Sequence, residues 1–143
     1  MTNAISGDGW QLALPPGVIA KPATAHGYLS GVIARGFIGD ATVTVLAQVR
    51  DLPDGFNRWV DEVAAHWLEV DRRRITVPGA ADAVRLDGLI DFDGLGAADD
   101  RERCTTVCAK QRRRGYVVTA RSRPEDAIHE AFEAVVASFV LLP

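Results

Sequence analysis

The hydrophobic period of this chain changes at Phe56, and that change limits the fold more than any other feature. Upstream, Val43, Val45, Ala47 and Val49 alternate with Thr42, Thr44, Leu46 and Gln48, the period-two pattern of a strand with one buried face. Downstream, Phe56, Trp59, Val60, Val63, Ala64, Trp67 and Leu68 recur at steps of three and four. That spacing lays one apolar stripe along a helix. It predicts a helix of about four turns, with Asp54 as N-cap and its end near Asp71, just before Arg72-Arg73-Arg74.

The same reasoning places the other elements. Trp10–Leu14 reads as a strand stopped by Pro15-Pro16-Gly17, whose fixed φ angles and missing donors make a turn. Residues 18–27 read as loop. Strands are expected at Tyr28–Phe37 and Ala41–Val49, with a tight hairpin at Gly39-Asp40. After Pro78-Gly79 come strands at Ala83–Phe92, Arg101–Gln111 and Tyr116–Arg121. They are separated by a polar loop at Asp93–Asp100 and a turn at Arg112-Arg113-Arg114-Gly115. On the first of them, Val84, Leu86, Gly88, Ile90 and Phe92 share one face, and Arg85, Asp87 and Asp91 the other. Ser122-Arg123-Pro124-Glu125 has the form of a capping box. The helix it opens carries Ile128, Ala131, Phe132, Val135, Val136 and Phe139 on its apolar stripe.

The expected order is therefore β-ββ-α-βββ-α. Strands grouped in runs argue for an α+β fold with an antiparallel sheet. With 143 residues, one domain spanning 1–143 is expected, residues 1–7 being flexible. A core of that size folds without a disulfide or metal staple.

Composition narrows function by exclusion. A net charge of −3 provides no global pull toward nucleic acid or acidic membranes. No apolar run approaches the ~20 residues of a membrane-spanning helix, and the N-terminus lacks the charged start and apolar stretch of a signal peptide. A cytoplasmic location is the expectation. Arg dominates the basic residues, with Lys only at Lys21 and Lys110, a bias typical of a high-GC bacterial genome.

Two cysteines, Cys104 and Cys108, lie on one face of a strand about 13 Å apart. That is beyond disulfide reach, and no neighbouring residues complete a metal set. They read as small core side chains. His26, His66 and His129 form no ligand motif and read as packed or solvated. Asp87, Asp91, Asp93, Asp99 and Asp100 lack calcium-loop spacing and read as a solvated strand face and loop. No nucleophile elbow and no dinucleotide loop is present, so no catalytic residue, metal or cofactor is assigned.

The arginine runs Arg72, Arg73, Arg74 and Arg112, Arg113, Arg114 are the candidate binding residues, because guanidinium pairs bidentately with carboxylate and phosphate. Trp59, Trp67 and Phe92, with Leu29 and Ile33, are candidates to line an apolar pocket, although plain core packing explains them as well.

Several stretches in this order resemble the PsbP/Mog-like superfamily, including the actinobacterial LpqN-type domains. The resemblance rests on Gly9-Trp10-Gln11-Leu12-Ala13-Leu14-Pro15, the helix around Trp59 after a strand hairpin, Arg114-Gly115-Tyr116-Val117-Val118-Thr119-Ala120, and the last helix leading into Ser138-Phe139. It covers Gly7 to Leu142 and implies an antiparallel sheet packed between helices, an α/β/α sandwich. Members work mostly as binding or accessory proteins: an extrinsic photosystem subunit, a partner of the small GTPase Ran, secretion-associated chaperones. No catalytic motif is shared, so no residue role carries over. The chain departs from the LpqN-type lipoproteins in having no lipid-attachment cysteine near its start.

The leading expectation is thus a non-enzymatic binding or accessory module. Its partner would be another protein, a second copy of the chain included. A small-molecule carrier with an apolar pocket between sheet and helix is the alternative, and a small hydrolase the remote third.

Overall fold

A computed structural model of the chain describes residues 3–39, 41–91, 101–123 and 129–143. The large sheet grows from two meanders. The first comprises β3 (Val18–Pro22), β4 (Ser30–Ile38) and β5 (Ala41–Asp51), and the second β6 (Trp67–Arg74), β7 (Asp82–Asp91), β8 (Arg101–Gln111) and β9 (Arg114–Ser122). They join where β5 pairs with β9, giving a seven-stranded sheet in the order β3-β4-β5-β9-β8-β7-β6, antiparallel throughout. A second, three-stranded sheet pairs β2 (Trp10–Leu14) with β1 (Asn3–Gly7) and β10 (Val140–Leu141).

Alternation along the central strands divides the core in two. On one face Val45, Ala47, Val49, Val107, Ala109, Val118 and Ala120 pack beneath the small sheet and helix α2 (His129–Ser138), through Trp10, Leu12, Phe132 and Val135. On the other, Val84, Leu86, Cys108 and Val117 pack beneath helix α1 (Phe56–Ala64), which contributes Phe56, Trp59 and Val60. The position of α1 follows from topology. It carries the chain from β5 in mid-sheet to β6 at the edge, so it lies across β9, β8 and β7 and leaves β3 and β4 uncovered on that face. There Ile19 and Phe37 are 80% and 64% exposed.

The expected α+β chain with an antiparallel sheet is present, but it is richer in β than an α/β/α sandwich. One face shares its cover between α2 and the small sheet. The order gains β1, β3, β6 and β10. Residues 3–7, expected to be flexible, pair along β2 from Asn3↔Leu14 to Gly7↔Trp10. The loop expected at 18–27 begins as β3, an edge strand whose ladder with β4 comes from residues more distant in sequence and leaves no strong period of its own. The Gly39-Asp40 turn joins antiparallel partners as expected, Asp40 lying outside the described residues. Phe92, the loop at 93–100 and Pro124–Ile128 of the capping box also lie outside them.

The largest correction concerns α1. It ends at Ala64, with Ala65 N–H donating to the Glu62 carbonyl, so Trp67 to Arg74 form strand β6 and not the last helical turn. Trp67 and Leu68 matched the helical stripe in number only. The ladder from Trp67↔Ile90 to Arg74↔Val84 satisfies their backbone groups in a way that a solitary sequence window cannot anticipate. At the other end Gly55, not Asp54, is the N-cap, at φ 94° and ψ 166° with no side-chain cap bond, a conformation that suits only glycine.

Candidate functional site

Three recesses among the described residues have room for a ligand or a partner's side chains. The first lies between the β7 end of the sheet and α2, encloses about 550 Å³, and has the buried Arg85 as its centre. Arg85 rises from β7 on the α2 face and is 5% exposed. Its Nε and Nη2 donate to the Asp87 carboxylate at 2.8 and 3.1 Å, and Nη1 donates to Glu133 Oε2 of α2 at 2.9 Å. Nη2 also donates to Glu133 Oε1. Thr105 on β8 donates to Asp87 Oδ1 at 2.7 Å, and His129 Nε2 lies 3.7 Å from Glu133 Oε1. The hydrogen bond to Glu133 raises the Arg85 pKa, while burial works in the opposite direction. The same bond holds the Glu133 carboxyl below the usual carboxylate range. A guanidinium gripped by two carboxylates is a tie between sheet and helix, with little donor capacity left for a ligand.

The second recess, of about 760 Å³, opens at the β8–β9 turn and is bordered by Asp8, Asp51, Gln111, Tyr116 and the three arginines Arg112, Arg113 and Arg114. Arg112 adopts φ 58°, which closes the two-residue turn, and the Arg113 carbonyl accepts from Leu52 N–H at 2.8 Å. Arg114 donates to Asp8 Oδ2 at 2.8 Å, and that bond raises its pKa. Arg112 and Arg113 are exposed and form no ion pair or hydrogen bond through their side chains among the described residues.

The third recess, about 270 Å³, is apolar and lies between the end of β2 and α2, against Leu14, Pro15, Pro16, Ile38, Ala131 and Val135.

The fold has solved counterparts. The structure is similar to cyanobacterial PsbP (CyanoP) from Synechocystis sp. PCC 6803, with a TM-score of 0.58 at 15% identity, covering 98% of this chain and 92% of that one. It is also similar to LpqN, involved in cell envelope biogenesis of Mycobacterium tuberculosis, with a TM-score of 0.60 at 12% identity, covering 100% and 91%. The fold is PsbP-like. No family model and no curated protein matches the chain, and at these identities the likeness is one of fold.

Within this PsbP-like frame the residues singled out from sequence go to separate places. Arg112, Arg113 and Arg114 share one recess. Arg72, Arg73 and Arg74 instead alternate along β6: Arg72 pairs with Asp61 of α1 at 2.6 Å, Arg74 with Asp82 at 3.7 Å, and Arg73 borders the Arg85 recess. Trp59 is 3% exposed inside the core under α1. Trp67 is half-buried at the start of β6, and Phe92 lies outside the described residues. His66 sits in the turn after α1, and His129 opens α2. Asp87, read as part of a solvated face, keeps part of its side chain in water but is tied to Arg85, whose buried charge Asp87 and Glu133 of the facing helix together neutralise. Glu133 and Arg85 were missed. Their only trace was an arginine in mid-strand, whose partner stands 48 positions away.

Cys104 and Cys108 are free and buried. Burial pushes the Cys104 thiol up to about 11 and the Cys108 thiol up to about 12. Since the thiolate is the reactive form, neither is expected to be alkylated by iodoacetamide at about pH 8 while the protein is folded, and both in denaturant. Labelling counted by intact-mass spectrometry checks this, and modification of the native protein at either position would contradict the burial.

Proposed function

We propose that the chain is a non-enzymatic binding or accessory module, and that its protein partner docks at the β8–β9 turn through an acidic segment. The observation that carries this reading is the pair of exposed guanidinium groups of Arg112 and Arg113, unpaired among the described residues, at the mouth of a recess of about 760 Å³. Arg114, tied to Asp8, holds the turn in place and leaves its two neighbours to bind. Arginine presents a planar fork to carboxylates and loses little freedom per bond formed, so a turn held at both ends is a ready set of donors for an acidic partner.

The test is affinity capture of the tagged chain from its host, followed by reconstitution with the captured protein in purified form. The double variant Arg112→Ala/Arg113→Ala is expected to lose about tenfold or more in affinity, with an unchanged far-UV spectrum. A partner that binds the variant as well as the parent would overturn the docking site.

The apolar recess beside Leu14 and Val135 supports a second reading, a carrier of a small apolar molecule. Its volume of about 270 Å³ lies just below the range of drug-sized pockets, so the ligand would be small. Native mass spectrometry of freshly isolated protein decides it: an adduct of defined mass supports the carrier, and a bare chain counts against it.

A further inference from the structure

Strand β6 closes the large sheet on one side, and it is built unlike the strand at the other edge. β3 is five residues long and ends in Pro22, the short, proline-terminated edge that discourages further pairing. β6 is eight residues long, shifts register with β7 only between Trp67 and Glu69, contains no Pro, carries charges of both signs at Glu69, Asp71, Arg72, Arg73 and Arg74, and is exposed along almost its whole length. Leu68 and Val70 are 48% and 45% exposed. Its outer backbone groups face away from β7 and meet no further strand of the described sheet.

The charges of β6 conflict with its own neighbour. Asp71 stands directly opposite Asp87, and Arg73 directly opposite Arg85. Like charges in directly opposed positions destabilise a strand pair. Asp87 and Arg85 resolve their side by gripping one another. Asp71 and Arg73 form no ion pair or hydrogen bond through their side chains among the described residues, and Arg73 reaches Glu133 only through the longer-range field. Two opposite charges therefore stand unmet, two positions apart, on one face of an open edge.

We propose that β6 pairs antiparallel with β6 of a second copy, about a two-fold axis passing through Arg72, so that two seven-stranded sheets become one continuous sheet. A two-fold axis perpendicular to the sheet keeps each face on its own side, so the axis must pass through a residue. Placed at Arg72, it sets Asp71 against Arg73 of the second copy, and by symmetry Arg73 against Asp71. The two Arg72 side chains that meet at the axis are each already neutralised by Asp61 of their own α1, and Val70 faces the aliphatic stem of Arg74. Shifting the axis to Asp71 sets Glu69 against Arg73 but opposes two Asp71 carboxylates, which, unlike the Arg72 pair held by Asp61, have no opposite charge of their own among the described residues. At Arg73 it opposes two unneutralised guanidinium groups, and at Val70 it sets Glu69 against Asp71. Charge thus selects one register out of four. The interface is isologous, the commonest arrangement for soluble homo-oligomers, and it leaves the β8–β9 turn free.

Sedimentation velocity over a range of concentrations tests the proposal on three forms of the full chain. The parent is expected to show a monomer–dimer equilibrium. Arg73→Glu, which meets Asp71 across the axis, is expected to weaken dimerisation on the order of tenfold to a hundredfold, since the change occurs twice. The double exchange Asp71→Arg/Arg73→Asp restores opposite charges across the axis and is expected to return the parent affinity to within about threefold. Inside the chain the exchange also sets an arginine opposite Asp87 and an aspartate opposite Arg85, which keeps that variant folded even if the single one is not. A parent that stays monomeric at every concentration overturns the proposal. So does a dimer indifferent to Arg73→Glu, or a double exchange that dimerises no better than the single change.

Discussion

Trp59→Ala is expected to lower the unfolding free energy by about 3–5 kcal/mol, and the melting temperature by roughly 10–15 °C for a chain of this size. Trp59 is the anchor of α1. It is 3% exposed, stands edge-on to Phe56 with ring centroids 6.0 Å apart, and packs in one cluster with Leu86, Cys108 and Val117 of the sheet. Gly115 of β9 makes that seat possible, because a Cβ there would lie 2.7 Å from the Trp59 ring and 2.8 Å from Leu52. Truncating Trp59 removes the largest side chain between α1 and the sheet, and α1 is too short to stand without it. The indole Nε1 is buried and has no hydrogen-bond partner among the described residues, so Trp59→Phe loses area but sheds an unpaired donor and is expected to cost only about 1 kcal/mol. Urea unfolding monitored by far-UV circular dichroism measures both. If Trp59→Ala cost under about 1 kcal/mol, the residue would be lining accessible space and not core.

Arg85→Met should destabilise the chain by about 2–3 kcal/mol near neutral pH, below the usual 3–5 for breaking a buried pair, because Asp87 and Glu133 keep one side in water. The loss carries a pH signature. Glu133 is held below its ordinary value mainly by the hydrogen bond from Arg85. A depressed carboxylate stabilises the fold fully above its unfolded value and loses that contribution as the pH falls through its folded value. The raised Arg85 stays charged throughout and adds no slope of its own. Parent and variant should therefore differ most near pH 7, and the gap should narrow as the pH is taken toward about 3. A gap that stays constant down to that pH would mean the arginine acts by packing alone. Because the tie joins β7 to α2, hydrogen exchange should also rise in α2 of the variant and not in α1.

These two residues illustrate what a linear reading catches. Trp59 announced itself through the spacing of its neighbours, since a helix stripe is a local property written at steps of three and four. Val43, Val45, Ala47 and Val49 did the same at steps of two, and all four are buried. The β7–β8–β9 meander and the arginine turn closing it were legible for the same reason, as was the antiparallel PsbP-like fold, though not its full order of elements. Arg85 was visible only as a polar residue in a strand. Its role is set by Glu133, which no local pattern connects to it, and the same holds for Arg114 and Asp8, 106 positions apart.

Strand β6 marks the boundary most clearly. Its residues continued the helical stripe through Trp67 and Leu68, and nothing within the window decided between one more helical turn and a strand. The decision came from β7, whose open edge offered backbone partners that end the helix at Ala64. The sequence alone determined the periods, the turns and the buried faces, because each depends on residues a few positions apart. Tertiary structure decided which arginines stand together, which charges are answered and which edge is left open, because those follow from strand neighbours brought together only when the sheet closes.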